Sequence, residues 1–218
     1  MRRTISLYVW LFSFLFPIMR RRAPLEQGND LELYLYRGQY QLGTKDAMYS
    51  DGTRYRPMVV AFNHLKKELP TVESVLILGT GLASAAHILT ERGYRPKYTF
   101  VEYNETILQW ALELLPQHAA LAVEPVNADA EYYMQQQQGK YDLVIIDIFI
   151  GRVVPGFATT IPFLQKCRTA VNAGRHLVMN YMINDEGEWN IFRENFTAVF
   201  PHCQVKDLGI NRVLIATV

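Results

Sequence analysis

Apolar residues along this chain change their spacing from region to region, and each spacing predicts a different element. Thr4 to Met19, TISLYVWLFSFLFPIM, is a nearly unbroken apolar run between arginines. From Asp30 to Tyr49 the runs become short and alternating, interrupted by Arg37-Gly38 and Gly43, which predicts a hairpin of LELYLY and QYQL. Tyr55 to Leu69 sets Met58, Val59, Phe62 and Leu65 at the spacing of one helix face, closed by Pro70. Beyond it, continuous runs such as VLIL and LVII, expected of parallel strands buried on both faces, alternate with helix-length segments.

The order predicted for that second part is strand Val75 to Leu78, a helix opening near Leu82, and strand TFVE ending at Glu102. Helix Ile107 to Leu115, strand Leu121 to Val126, helix Ala130 to Gln138 and strand Leu143 to Ile146 follow. Helix Ile161 to Asn172, with Thr160 as cap and Pro162 in its first turn, precedes strand RHLVMNYM and helix Gly187 to Phe200. The last strands, HCQVKDL and NRVLIATV, lie so close in sequence that they must be antiparallel, because a parallel pair needs a crossover of about a dozen residues. The expected fold is α/β: a doubly wound, mostly parallel seven-stranded sheet with an antiparallel C-terminal strand, class I methyltransferase-like, preceded by a small β-hairpin appendage. The expected boundaries are residues 1–22 for the apolar, Arg-flanked segment, 30–52 for the hairpin and 53–218 for a nucleoside-binding domain.

Composition narrows the partners. Half of the residues are apolar and 20% charged, which supports one well-filled core. The formal charge of +1 hides an asymmetry. Arg2, Arg3, Arg20, Arg21 and Arg22 face no acid among the first 22 residues, leaving 17 basic against 21 acidic side chains elsewhere. A net-negative body argues against a nucleic-acid partner. Two cysteines, Cys167 and Cys203, form no disulfide framework or metal spacing, and five scattered histidines show no ligand pattern, so no metal and a cytoplasmic, reducing compartment are expected. The apolar N-terminus is short for a membrane span and is interrupted by Pro17. The readings are a helix docked on the domain or on a sister subunit, which is favoured and allows a homodimer, a weak membrane-surface anchor, or a span.

The candidate chemistry starts at Ser74 to Asn104. Gly79 and Gly81 follow the first buried strand directly, where they permit a tight turn and close approach to a ligand, and the next helix aims its free N–H groups into the same space. Glu102 ends the second strand 23 positions after Gly79, where a carboxylate can accept from both hydroxyls of a ribose. Asp129, before Ala130, can cap a helix, accept from an adenine amino group, or both. Asp147 ends the YDLVIID strand, where the chemistry would lie and where a cationic ligand would stabilise a desolvated acid.

The succession VLILGTG, FVEYNETIL, NADAEYYM and YDLVIIDIF, after GQYQLGTKDAMYSDG and before AGRHLVMN, resembles spermidine synthase and the wider spermidine synthase-like family from about Leu31 to Tyr181. The resemblance implies a transferase of polyamine biosynthesis that takes decarboxylated S-adenosylmethionine, or S-adenosylmethionine itself, and passes an aminopropyl group to a small amine. It also implies site residues: Gln41 for the nucleoside donor, Tyr49 at the site mouth, Glu102 for ribose, Asp129 with Ala130 for adenine, and Asp147 to orient or deprotonate the amine. The chain departs from the family where an acid of the glycine loop becomes Leu82, where Tyr-His-Glu becomes Tyr49-Ser50-Asp51, and where the second acid of Asp-x-x-Asp becomes Ile150. Each lost acid removes a charge-assisted contact to a cationic amine worth roughly 1.5–3 kcal/mol. A methyltransferase and a non-catalytic nucleoside-binding protein are therefore the alternatives.

Overall fold

A computed structural model describes residues 5–25, 30–45, 47–120 and 122–218. Thr4 and Leu121, at the edges of two predicted segments, lie outside the described residues. After a short helix α1 (Leu7–Phe12), the strands β1 (Ile18–Pro24), β2 (Asp30–Tyr36), β3 (Gln39–Gly43) and β4 (Met48–Ser50) form an antiparallel sheet in that order. The appendage is thus a four-stranded sheet rather than a bare hairpin. Arg20, Arg21 and Arg22 do not merely flank an apolar segment but lie within β1, where Arg22 stands opposite Glu32 and bonds to it at 2.5 Å. Inward-facing Leu31, Leu33 and Leu35 of β2 are buried, as strict alternation demands.

The main domain runs α2 (Arg56–His64), β5 (Ser74–Leu78), α3 (Ser84–Glu91), β6 (Lys97–Glu102), α4 (Glu105–Leu114), α5 (Gln117–Ala120), β7 (Val123–Asn127), α6 (Ala130–Gln136) and β8 (Tyr141–Ile146). It ends with α7 (Ile161–Thr169), β9 (Val171–Met182), α8 (Glu186–Val199), β10 (Cys203–Leu208) and β11 (Asn211–Thr217). The sheet order is β10-β11-β9-β8-β5-β6-β7, with β11 antiparallel to both of its neighbours and the other pairings parallel. The continuous apolar runs now have their reason. Leu76 and Leu78 join the core on one face, with Ile146, Phe163, Phe192 and Phe196. Val75 and Ile77 join the other, with Phe62, Ile88 and Ile145. A third cluster, in which Leu31, Leu33 and Leu42 meet Leu82, Ile107 and Trp110, fastens the N-terminal sheet to α4 and to the turn after β5. No helix among the described residues is long and apolar enough to cross a membrane.

Candidate active site

Strand β5 lies between β6 and β8, and the crevice beyond the C-terminal ends of these strands is where neighbouring crossovers diverge in a doubly wound sheet. Both glycines of the β5–α3 turn have positive φ, +80° at Gly79 and +53° at Gly81. A Cβ on Gly79 would overlap the carbonyl oxygen of Asp147 and stand 2.9 Å from Cα of Ile148. This glycine therefore serves the close approach of two strand ends. The Gly81 N–H donates to Oε2 of Glu102 at 3.1 Å, and the Leu82 N–H donates to Oγ of Ser50 at 3.1 Å, itself 2.7 Å from Oγ of Ser84. Amides that face the pyrophosphate in a dinucleotide site are here already bonded within the protein.

Glu102 is held from both sides, since the Asn104 N–H donates to its Oε1 at 3.1 Å. The carboxylate thus lies within a cluster of backbone N–H groups at the end of β6. Burial raises the pKa of Glu102, while the N–H groups of Asn104, Gly81, Thr80 and Tyr103 oppose that shift. Replacing Glu102 with Gln is expected to weaken any adenosine-containing ligand by about 1.5–3 kcal/mol, because the charged acceptor is lost and an amide NH₂ faces a backbone donor. Calorimetry checks this, and unchanged affinity would remove Glu102 from the site. Asp129 caps α6, its Oδ1 accepting from the N–H groups of Glu131 at 2.8 Å and Tyr132 at 3.0 Å. Its Oδ2 has no hydrogen-bond partner among the described residues, so capping leaves it available. Ala130 beside it is buried.

Asp147 is the best-organised acid of the crevice. Its N–H extends the strand pairing to the carbonyl of Leu78 at 2.9 Å. Its Oδ1 accepts from the Tyr55 hydroxyl at 3.0 Å and from Nδ2 of Asn180 at 2.9 Å. Asn180 is oriented in turn, because its Oδ1 accepts from Nδ2 of Asn211 at 3.0 Å. Desolvation pushes the Asp147 carboxyl up to about 6, against the stabilising bonds from Asn180 and Tyr55. Burial beside the carboxylate raises the Tyr55 hydroxyl well above 10, so it stays a donor. With Oδ1 fixed, Oδ2 has no hydrogen-bond partner among the described residues. Such a group can accept a proton near neutral pH. Sequence reasoning did not find Tyr55, Asn180 or Asn211. Asn180 carried a signal, a polar interruption of the apolar strand LVMNYM, and a buried polar side chain must find partners.

The remaining predicted residues belong to the N-terminal sheet, Gln41 to β3 and Tyr49 to β4. Nε2 of Gln41 donates to Oδ1 of Asp51 at 2.8 Å, the same oxygen that pairs with Arg54 at 3.0 Å. The Tyr49 hydroxyl accepts from the Gly151 N–H at 2.9 Å and so holds the loop after β8, in which Ile150 bridges to Val153 and is 64% exposed. Leu82 is buried against the N-terminal sheet rather than offered to the crevice. A separate cavity of about 250 Å³, lined among others by Gln39, Thr53, Leu82 and His87, contains none of the predicted site residues. Among the described residues no group of three His, Cys, Asp or Glu side chains could hold a metal ion.

No protein-family model and no curated protein matches the sequence. Solved structures do. A probable spermidine synthase from Corynebacterium glutamicum superposes with a TM-score of 0.73 at 16% identity, over 93% of this chain and 80% of the other. Spermidine synthase from Thermotoga maritima gives 0.71 at 16%, over 91% and 72%. Human methyltransferase-like protein 13, in complex with SAH, gives 0.63 at 18%, over 76% and 81%. With this strand order, a single reversed strand and likeness along nearly its whole length, the chain has the fold of the spermidine synthases, within the class I methyltransferase-like architecture, and is divergent from them in sequence.

Proposed function

We propose that this protein is a transferase that binds an adenosyl sulfonium donor, S-adenosylmethionine or its decarboxylated form, and passes an aminopropyl group from it to a small amine. The observation that carries this reading is the Asp147 cluster: a carboxylate with one oxygen fixed by Tyr55 and Asn180, the other unpartnered, and a pKa raised to about 6. In this reading Glu102 holds the ribose, Asp129 with Ala130 the adenine edge, Gly79 and Gly81 shape the turn, and Gln41 and Tyr49 close the rim. A neutral amine attacks the carbon bonded to sulfur. The new C–N bond forms as the C–S bond breaks, its electron pair stays on sulfur, and the proton shed by the ammonium product passes to Oδ2 of Asp147. The sulfonium carbon is already electrophilic, so in-line positioning and a base are most of what the protein must supply.

A second reading, methyl transfer, is favoured by one feature. Leu82 is an apolar, buried residue where an acid would hold the amine of an aminopropyl chain. Calorimetry with S-adenosylmethionine, decarboxylated S-adenosylmethionine and methylthioadenosine separates the donors, and product formation with putrescine tests the transfer. Preference for the decarboxylated form with an aminopropylated product supports the first reading. Preference for S-adenosylmethionine with a methylated product replaces it, and binding without any turnover leaves a nucleoside-binding protein.

Tyr55 has a positioning role in this scheme. Its hydroxyl stabilises the carboxylate, so Tyr55→Phe is expected to raise the pKa of Asp147 further and shift the acid limb of the rate profile to higher pH, with donor affinity unchanged. An unshifted limb would sever Tyr55 from the chemistry.

A further inference from the structure

The N-terminal segment forms a surface that neither the fold nor the proposed reaction explains. Helix α1 contains no buried residue, and Leu7, Tyr8, Leu11, Phe12, Leu15 and Phe16 are each at least 50% exposed. Such a run is larger than the scattered apolar exposure of an ordinary surface. The segment is nonetheless pinned. Ser13 is fully buried: its carbonyl accepts from the Arg37 N–H at 2.7 Å, and its Oγ accepts from the Gly38 N–H at 3.0 Å. The Trp10 and Phe14 rings meet edge to face, 4.8 Å between centroids, over Gly38, where a Cβ would stand 2.8 Å from Nε1 of Trp10. The β2–β3 turn therefore holds one side of the segment against the protein and leaves the other side facing outward.

Charge decides what can cover it. Arg21 pairs with Glu113 at 2.7 Å, and Arg22 with Glu32 and Asp30. The side chains of Arg20 and Arg37, by contrast, have no acidic partner among the described residues, and the sequence has no acid before Glu26. A two-fold contact between copies through this patch would set these arginines near their own equivalents with nothing of opposite sign in the segment. Exposed aromatic and aliphatic side chains beside arginines without acidic partners, Arg37 resting over the Tyr36 ring, are instead what an anionic membrane interface accepts. With only six residues, α1 is too short to cross a bilayer.

We propose that residues 7–16, with Arg20 and Arg37, dock this protein on the surface of an anionic phospholipid bilayer. This surface is independent of the transferase reading. The protein carries its own reporter: Trp10 is 40% exposed, whereas Trp110 and Trp189, the other two tryptophans, are 7% and 6% exposed. The full chain is titrated with phosphatidylcholine vesicles, with and without an equal part of phosphatidylglycerol, while tryptophan emission and sedimentation are followed. The expected result is a blue shift and quenching by brominated acyl chains in the anionic vesicles, weakened by salt.

Leu11→Asp and Leu15→Asp, at exposed positions that leave the folded core untouched, should each lower partitioning about tenfold or more. Arg20→Gln should lower it about fivefold in anionic vesicles and little in neutral ones. Deletion of residues 1–16 keeps β1 and should abolish binding, whereas a cut at residue 22 would also strip β1 from β2 and expose its edge. Failure of the full chain to bind anionic vesicles at low salt overturns the proposal. So does binding that neither Leu11→Asp nor Arg20→Gln reduces. A concentration-dependent dimer that Leu11→Asp abolishes, without vesicle binding, assigns the patch to a second copy instead.

Discussion

Asp147→Asn is expected to lower turnover about 10²–10⁴-fold, the usual magnitude for losing a positioned general base, while donor affinity changes little. The substitution keeps the shape, and its amide oxygen can still accept from Tyr55 and Asn180, but the charge is lost and an NH₂ replaces the proton-accepting Oδ2. The pH profile gives an independent readout. The folded pKa of Asp147 is raised to about 6, so the base is protonated and inactive below it, and the rate should climb through a midpoint near pH 6 as pH rises. In Asp147→Asn that limb should disappear. A profile that keeps the limb, or turnover unaffected by the substitution, would assign proton removal to another group.

Gly79→Ala should be the most damaging small substitution in the domain. The residue has φ +80°, which an L side chain rarely adopts, and its Cβ would overlap the Asp147 carbonyl while standing 2.8 Å from its carbon. Backbone strain and overpacking together are expected to cost about 2–6 kcal/mol. Neither obstacle can relax without separating the ends of β5 and β8. Gly93→Ala separates the two causes, because Gly93 has φ +89° and nothing within 4 Å of an added Cβ. Its loss should be only the strain, about 1–3 kcal/mol. Equal destabilisation of the two variants, measured by denaturant unfolding, would show that the contact with Asp147 contributes nothing. The first variant should also lose Asp147-dependent activity at temperatures where it remains folded, since the acid's backbone is what the new methyl group meets.

Hydrophobic spacing by itself determined the alternation of strands and helices, the doubly buried centre of the sheet and the reversal of β11. These features repeat a local period: a strand covered on both faces must read VLIL or LVII, and two strands a few residues apart have no room for a crossover. It also placed Gly79, Gly81, Glu102, Asp129 and Asp147 at strand ends and turns, because the ends of apolar runs are visible in one dimension. The N-terminus did not yield to the same reasoning. RRRAP reads as a basic flank, and only the open edge of β2, with Glu32 facing Arg22, makes it a strand. Nor does the sequence reveal that the β2–β3 turn supplies partners to Ser13, Trp10 and Phe14 of the apolar segment.

The acid's surroundings were equally out of reach. Tyr55 lies 92 positions from Asp147 and Asn180 lies 33, while Asn180 and Tyr55 are 125 apart. That the missing side chain of Gly79 makes room for the backbone of Asp147 is likewise invisible in the sequence. Only the tertiary structure decided these matters, because a hydrogen bond or a steric overlap depends on distances of a few ångströms between segments whose separation along the chain carries no periodic trace.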